Sequence, residues 1–91
     1  MAIIVHFTVQ GMPVATYDEV IRRLEAAGAG APAGRLHHAA YGDPTNLHVV
    51  DIYDSPEAFQ RFGETLVPIL AELGVDPGQP QVLPVHNTIK G

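Results

Sequence analysis

The sequence predicts an α+β domain of order βαββαβ: the ferredoxin-like arrangement, with two helices on one face of a four-stranded antiparallel sheet. Three observations carry this. Four runs rich in β-branched and aromatic residues, at 2–10, 35–41, 47–53 and 81–89, read as strands. Two segments with apolar residues at helical spacing lie after the first and third of them. The chain has 91 residues, 46% hydrophobic and 16% charged, which suits one packed domain (1–91) and leaves no room for a second.

The elements follow in order. Ala2 to Gln10 forms a strand ended by Gly11, with one wholly apolar face (Ile3, Val5, Phe7, Val9) and one mixed face (Ile4, His6, Thr8, Gln10). The first helix starts at Pro13 or at the capping-box sequence Thr16-Tyr17-Asp18-Glu19. Tyr17, Val20, Ile21, Leu24 and Ala27 give it an apolar side, and Gly28 a C-terminal stop. The small-residue loop 28–34 is expected to be a mobile lid over a pocket mouth. Arg35 to Tyr41 and Leu47 to Tyr53 form a hairpin around Gly42-Asp43-Pro44-Thr45-Asn46. Ser55-Pro56-Glu57 starts the second helix, with Ser as N-cap and Pro first. That helix runs to Gly74, with Pro68 expected to kink it. Gln81 to Ile89 is the last strand, and Pro84 marks it as an edge or a bulge.

Composition narrows the function classes. A net charge of −5 with five Lys and Arg argues against nucleic acid. The absence of cysteine removes disulfides, thiolate metal sites and Cys nucleophiles. No run reaches the roughly 20 apolar residues of a membrane span, and the N-terminus lacks the form of a signal peptide, so a cytoplasmic location is expected. One face of so short a sheet has no second layer to cover it. A homodimer through that face is the expectation, with Ile3/Val5/Phe7/Val9 assigned to the dimer core.

The junction Tyr53-Asp54-Ser55-Pro56-Glu57-Ala58-Phe59, together with element order and length, resembles the dimeric α/β-barrel superfamily, and more narrowly its antibiotic-biosynthesis-monooxygenase type. The resemblance implies a pocket between sheet and helices, bordered by aromatics at Tyr53 and Phe59. It implies cofactor-independent oxygenation, isomerisation or cyclisation of a small apolar or aromatic molecule. Such relatives often carry Asn where this chain has Val49, and Trp at the first aromatic position. Haem-degrading relatives use a His on the second helix, and residues 55–74 contain none.

Strand alternation from Tyr53 places Asp51 and Val49 in that pocket. A two- or four-residue loop centred on Pro44 and Thr45 sets His38 opposite Asp51, whereas an odd loop brings His37 or Ala39 nearer. The mixed face of the first strand is assigned to the pocket, bringing His6 in. The candidate catalytic residues are therefore His38, Asp51, His6 and Tyr53, with Tyr17 a further hydrogen-bond donor. A carboxylate beside an imidazole fixes its tautomer and raises its basicity, and the tyrosines can donate to a developing oxyanion. Tyr17, Val49, Phe59, Phe62, Leu66 and His86 are the expected pocket lining, with the facing of His86 left open by Pro84. His37 and His48 are expected on the opposite face. No metal and no cofactor is assigned, since no HxH or HxxxH spacing supports a metal site. The plainer reading stands beside the catalytic one: polar groups that satisfy each other and order the sheet, in a non-catalytic domain that binds a small hydrophobic ligand.

Overall fold

The computed structural model describes residues 1–7 and 12–89. Its element order is β1 (Ile3–Phe7), α1 (Val14–Ala26), β2 (Arg35–Asp43), β3 (Asn46–Tyr53), α2 (Pro56–Glu72) and β4 (Gln81–Pro84). The strands form one antiparallel sheet in the order β2-β3-β1-β4. This is the expected ferredoxin-like α+β topology. The expected strand residues Thr8, Val9 and Gln10, and Gly11 after them, lie outside the described residues.

Local chemistry accounts for the element ends. Helix α1 starts at Val14 with Pro13 as its N-cap, so neither the Thr16 capping box nor a side-chain cap begins it. Its start is tied instead to the β2–β3 hairpin, because Val14 N–H donates to Pro44 O at 2.9 Å and Leu47 N–H donates to Met12 O at 2.8 Å. Helix α2 starts as its sequence says: Ser55 Oγ accepts from Ala58 N–H at 3.2 Å and Pro56 follows the cap. It continues through Pro68, which is exposed. Strand β4 ends at Pro84, well short of Ile89, because Pro84 already lies opposite Ile3, the first residue of β1; just past it Val85 N–H donates to Ala2 O at 3.0 Å. It is an edge strand, pairing with β1 alone.

The hairpin loop has two residues. Asp43 pairs with Asn46, leaving Pro44 and Thr45 as the turn. Asp43 Oδ1 accepts from Thr45 N–H at 2.8 Å and from Thr45 Oγ1–H at 2.7 Å, an Asx-type closure that holds the turn. From there the ladder runs to His38 opposite Asp51. Between Arg35 and His37 the register slips, with Leu36 as the extra residue.

The two sheet faces carry different chemistry from those assigned by sequence. Ile3, Val5 and Phe7 lie opposite Tyr53, Asp51 and Val49 in the β1–β3 ladder, and antiparallel partners share a face. All six are buried, with Val5 and Tyr53 at 0% exposure, and the five besides Asp51 form one apolar cluster with Val20 and Leu24 of α1 and Phe62 and Leu70 of α2. The wholly apolar face of β1 is thus the core under the helices and not a dimer core. His6 stands on the other face, opposite Val50. The physical reason is demand: the two helices present mostly hydrocarbon, and only the uninterrupted apolar row can meet it.

The loop 27–34 is fastened at both ends. Ala29 N–H donates to Leu24 O at 2.8 Å and Asp54 N–H to Gly34 O at 2.8 Å. Gly34 has φ +86°, and a Cβ there would stand 2.5 Å from the Ala58 methyl, so only glycine fits this close approach to α2.

Candidate active site

A cleft opens between the sheet and the helices, with about 520 Å³ of empty space counting its open mouth. Hydrocarbon makes most of its wall, including Met12, Val20, Leu24 and Leu70. Four polar side chains, Tyr17, Arg35, His38 and Asp51, reach it. Few polar groups converging in an apolar cleft is the usual make-up of a small-molecule site.

Three of these four belong to a continuous hydrogen-bonded chain. His38 Nδ1 and Asp51 Oδ1 are bonded across the β2–β3 ladder. His38 Nε2 meets the Tyr17 hydroxyl at 2.6 Å, with the two rings stacked 5° from parallel. Tyr53 O–H donates to Asp51 Oδ2 at 3.0 Å from beneath. Asp51 is 2% exposed, so both its oxygens are taken in a nearly dry setting. With Asp51 ionised, Nδ1 carries the imidazole hydrogen and Nε2 accepts from Tyr17.

The phenols are held in their neutral form. Burial pushes the Tyr17 hydroxyl above the ordinary tyrosine value near 10, and the Asp51 carboxylate adds to the rise while Arg35 opposes it. Tyr53 is raised further for the same reasons, burial first and Asp51 second.

The sequence candidates divide cleanly. His38, Asp51, Tyr53 and Tyr17 form the chain, and Val49, Phe62 and Leu66 line the cleft. His6 does not: on the outer face it bonds the Tyr41 hydroxyl and stacks near His48. Phe59 is packed on Phe7 and Tyr53, ring centroids 6.0 and 5.3 Å away, and belongs to the core. His86 lies exposed beyond the end of β4, where no ladder directs it inward. The loop 28–34 supplies none of the cleft's wall, so it is not placed as a lid. Sequence reasoning missed Arg35. The bulge at Leu36 explains this: counting back in twos from His38 points Leu36 inward, whereas Arg35 pairs with Tyr53 and shares the face of His38.

Among the described residues no group of three or more His, Asp or Glu could hold a metal ion, and no helix is long and apolar enough to cross a membrane.

No family model matches the chain, and no curated protein matches it in sequence. Solved structures do match. The cofactor-independent oxygenase SnoaB from Streptomyces nogalater superposes with a TM-score of 0.62 at 20% identity, over 99% of this chain and 96% of that one. Protein YJCS superposes with 0.65 at 9% identity, over 94% and 100%. A proposed antibiotic biosynthesis monooxygenase from Nitrosomonas europaea gives 0.62 at 14% identity, over 93% and 88%. At these identities the likeness is one of architecture: the chain shares the ferredoxin-like fold of these proteins.

Proposed function

We propose that this protein is a cofactor-independent enzyme that removes a proton from a small aromatic or enolisable molecule, as an oxygenase, isomerase or cyclase of its fold would. One observation carries the reading: a Tyr17–His38–Asp51–Tyr53 chain whose outer end opens on an apolar cleft. The substrate proton passes to the Tyr17 oxygen as the Tyr17 proton passes to His38 Nε2. The imidazolium so formed is stabilised by Asp51, which Tyr53 holds in place. The raised pKa of Tyr17 fits this relay, since a phenol that resists ionisation must take a proton as it gives one up. The resulting carbanion or phenolate then reacts with dissolved oxygen, is reprotonated elsewhere, or closes a ring. The oxygenase arm is supported by the likeness to SnoaB.

The working unit in this proposal is a homodimer. Its second copy covers the outer sheet face, where Ile4, Val50, Ile52 and Leu83 form an apolar patch. Leu83 is 48% exposed and Tyr41 44% in the single chain, which is area that a partner sheet would remove from water. A cytoplasmic location is part of the same reading.

The test needs no knowledge of the product. 2-Tetralone, an aromatic ketone with acidic α-hydrogens, exchanges them slowly in deuterated buffer, and NMR follows the loss. The protein should accelerate the exchange, and Asp51→Asn should slow it about a hundredfold. Equal rates in protein and in Asp51→Asn would overturn the reading. A second reading, a non-catalytic domain that binds a small hydrophobic ligand, is favoured by one feature: Tyr17 already occupies His38 Nε2, so every polar atom of the chain is satisfied without a substrate.

A further inference from the structure

The cleft contains a cation, Arg35, that takes no part in the proposed proton transfers. Arg35 is half-buried and lines the cleft beside His38. Among the described residues no carboxylate lies within ion-pair distance of it, whereas Arg22 and Arg23 both pair with Glu19, and Arg23 also reaches Glu72. The nearest acidic group in the cleft is Asp51, and its two oxygens are committed to His38 and Tyr53. A half-buried guanidinium in apolar surroundings without a counter-charge is costly, and the cost is relieved when an anion binds.

The guanidinium is also held still. Its Nη2 donates to Gly30 O at 2.8 Å, and its central carbon lies 5.5 Å from the centre of the Phe62 ring. Guanidinium has five N–H donors in a fixed fork; one goes to Gly30 O and the Tyr53 hydroxyl takes another, which leaves donors for a planar anion. The chain's net charge of −5 repels anions at large, so attraction for one here is local and selective.

The ladder gives the spacing. Arg35 lies opposite Tyr53 and His38 opposite Asp51, two rows apart on β3. Two strand positions span about 6.6 Å, comparable to the width of one aromatic ring with its two opposite substituents.

We infer that Arg35 is the anion anchor of the cleft, and that the substrate is an aromatic acid whose carboxylate or equivalent anion sits on Arg35 while its acidic O–H or C–H faces Tyr17 and His38. Which end reacts rests on the proton-transfer reading; the anion preference does not.

The probes are 4-hydroxybenzoate and 4-hydroxybenzamide, alike in shape and different in charge, titrated into the intact protein by two-dimensional amide NMR. The benzoate should bind about tenfold more tightly or better, with shifts at Gly30, Arg35 and His38. Arg35→Met should erase the preference, Arg35→Lys should keep part of it, and His38→Ala should keep all of it. Equal binding of acid and amide overturns the inference. So does a preference that survives Arg35→Met, or one that His38→Ala removes, which would assign the charge to the imidazole. Should Arg35→Met fail to fold, Arg35→Lys and the acid–amide comparison in the unaltered protein still decide. The two proposals fail separately: absence of tetralone exchange leaves the acid–amide preference standing, and equal binding of acid and amide leaves the exchange standing.

Discussion

The two faces of the sheet each carry a cluster of histidine and tyrosine, and the clusters differ in one component. Under the helices, Tyr17 and His38 are backed by Asp51, which is buried and itself fixed by Tyr53. On the outer face, His6 and His48 each stack on Tyr41 and tilt against one another, with ring centroids 5.6 to 6.3 Å apart. His6 bonds the Tyr41 hydroxyl, but no carboxylate is bonded to these rings among the described residues, and the buried His48 Nδ1 has no hydrogen-bond partner. Histidine content alone therefore does not separate a site from a surface. A carboxylate in a dry setting does, because it fixes the tautomer and stabilises the charged ring.

A charge placed on each face in turn should separate the two faces most strongly. Val5→Asp puts an unpaired carboxylate under the helices at a position with no exposure. It should cost about 4 kcal/mol or more, a large part of the stability of a small domain. Ile52→Asp, on the outer face opposite Ile4, should leave the fold intact and yield a monomer. Circular dichroism with sedimentation velocity distinguishes the two outcomes. A folded monomer from Val5→Asp would mean that the dimer forms through the other face.

A middle-sized effect sharpens it. Tyr53→Phe removes a donor from the buried Asp51 carboxylate and should cost about 1–3 kcal/mol in urea unfolding. Tyr41→Phe removes the outer-face hydroxyl and should cost within about 0.5 kcal/mol, since that group can trade its partner for water. Equal costs would deny the inner cluster its special standing.

The smallest effect is in pH. Tyr17 and Tyr53 both have folded pKa values raised above the ordinary tyrosine value near 10. The folded state then holds protons that the unfolded state has released. Their stabilisation is complete below pH 10 and is lost as pH rises through the folded values. Thermal melts should be flat in this respect up to about pH 10 and fall beyond it. Ultraviolet absorbance should show two tyrosines ionising late, and only as the fold is lost.

Much of this was legible in the residues. The βαββαβ order follows from alternation and helical spacing, and the His38–Asp51 register follows from the two-residue turn at Pro44 and Thr45. Tyr17 was legible because it lies on the apolar side of α1. Four features are hidden, each for a physical reason. The facing of β1 is hidden because His6 has the chemistry of a site residue, although the helices above the sheet demand the uninterrupted apolar row. Arg35 was hidden by a single-residue bulge, which no pattern of period two reveals. His86 lies two residues past Pro84, the last residue of β4, so strand alternation does not reach it. Phe59 joins the core because the turn of α2 aims it at Phe7 and Tyr53, a helical phase that sequence fixes only within a residue or so.

In the proposed reaction the proton goes to the histidine backed by a buried carboxylate and not to the one on the outer face. Tetralone exchange measured side by side in His38→Ala and His6→Ala tests this, both variants first confirmed to keep the fold and the oligomeric state of the unaltered protein. The account predicts that His38→Ala loses about a hundredfold and that His6→Ala keeps the rate of the unaltered protein. Retained exchange in His38→Ala, or an equal loss in both, would contradict it.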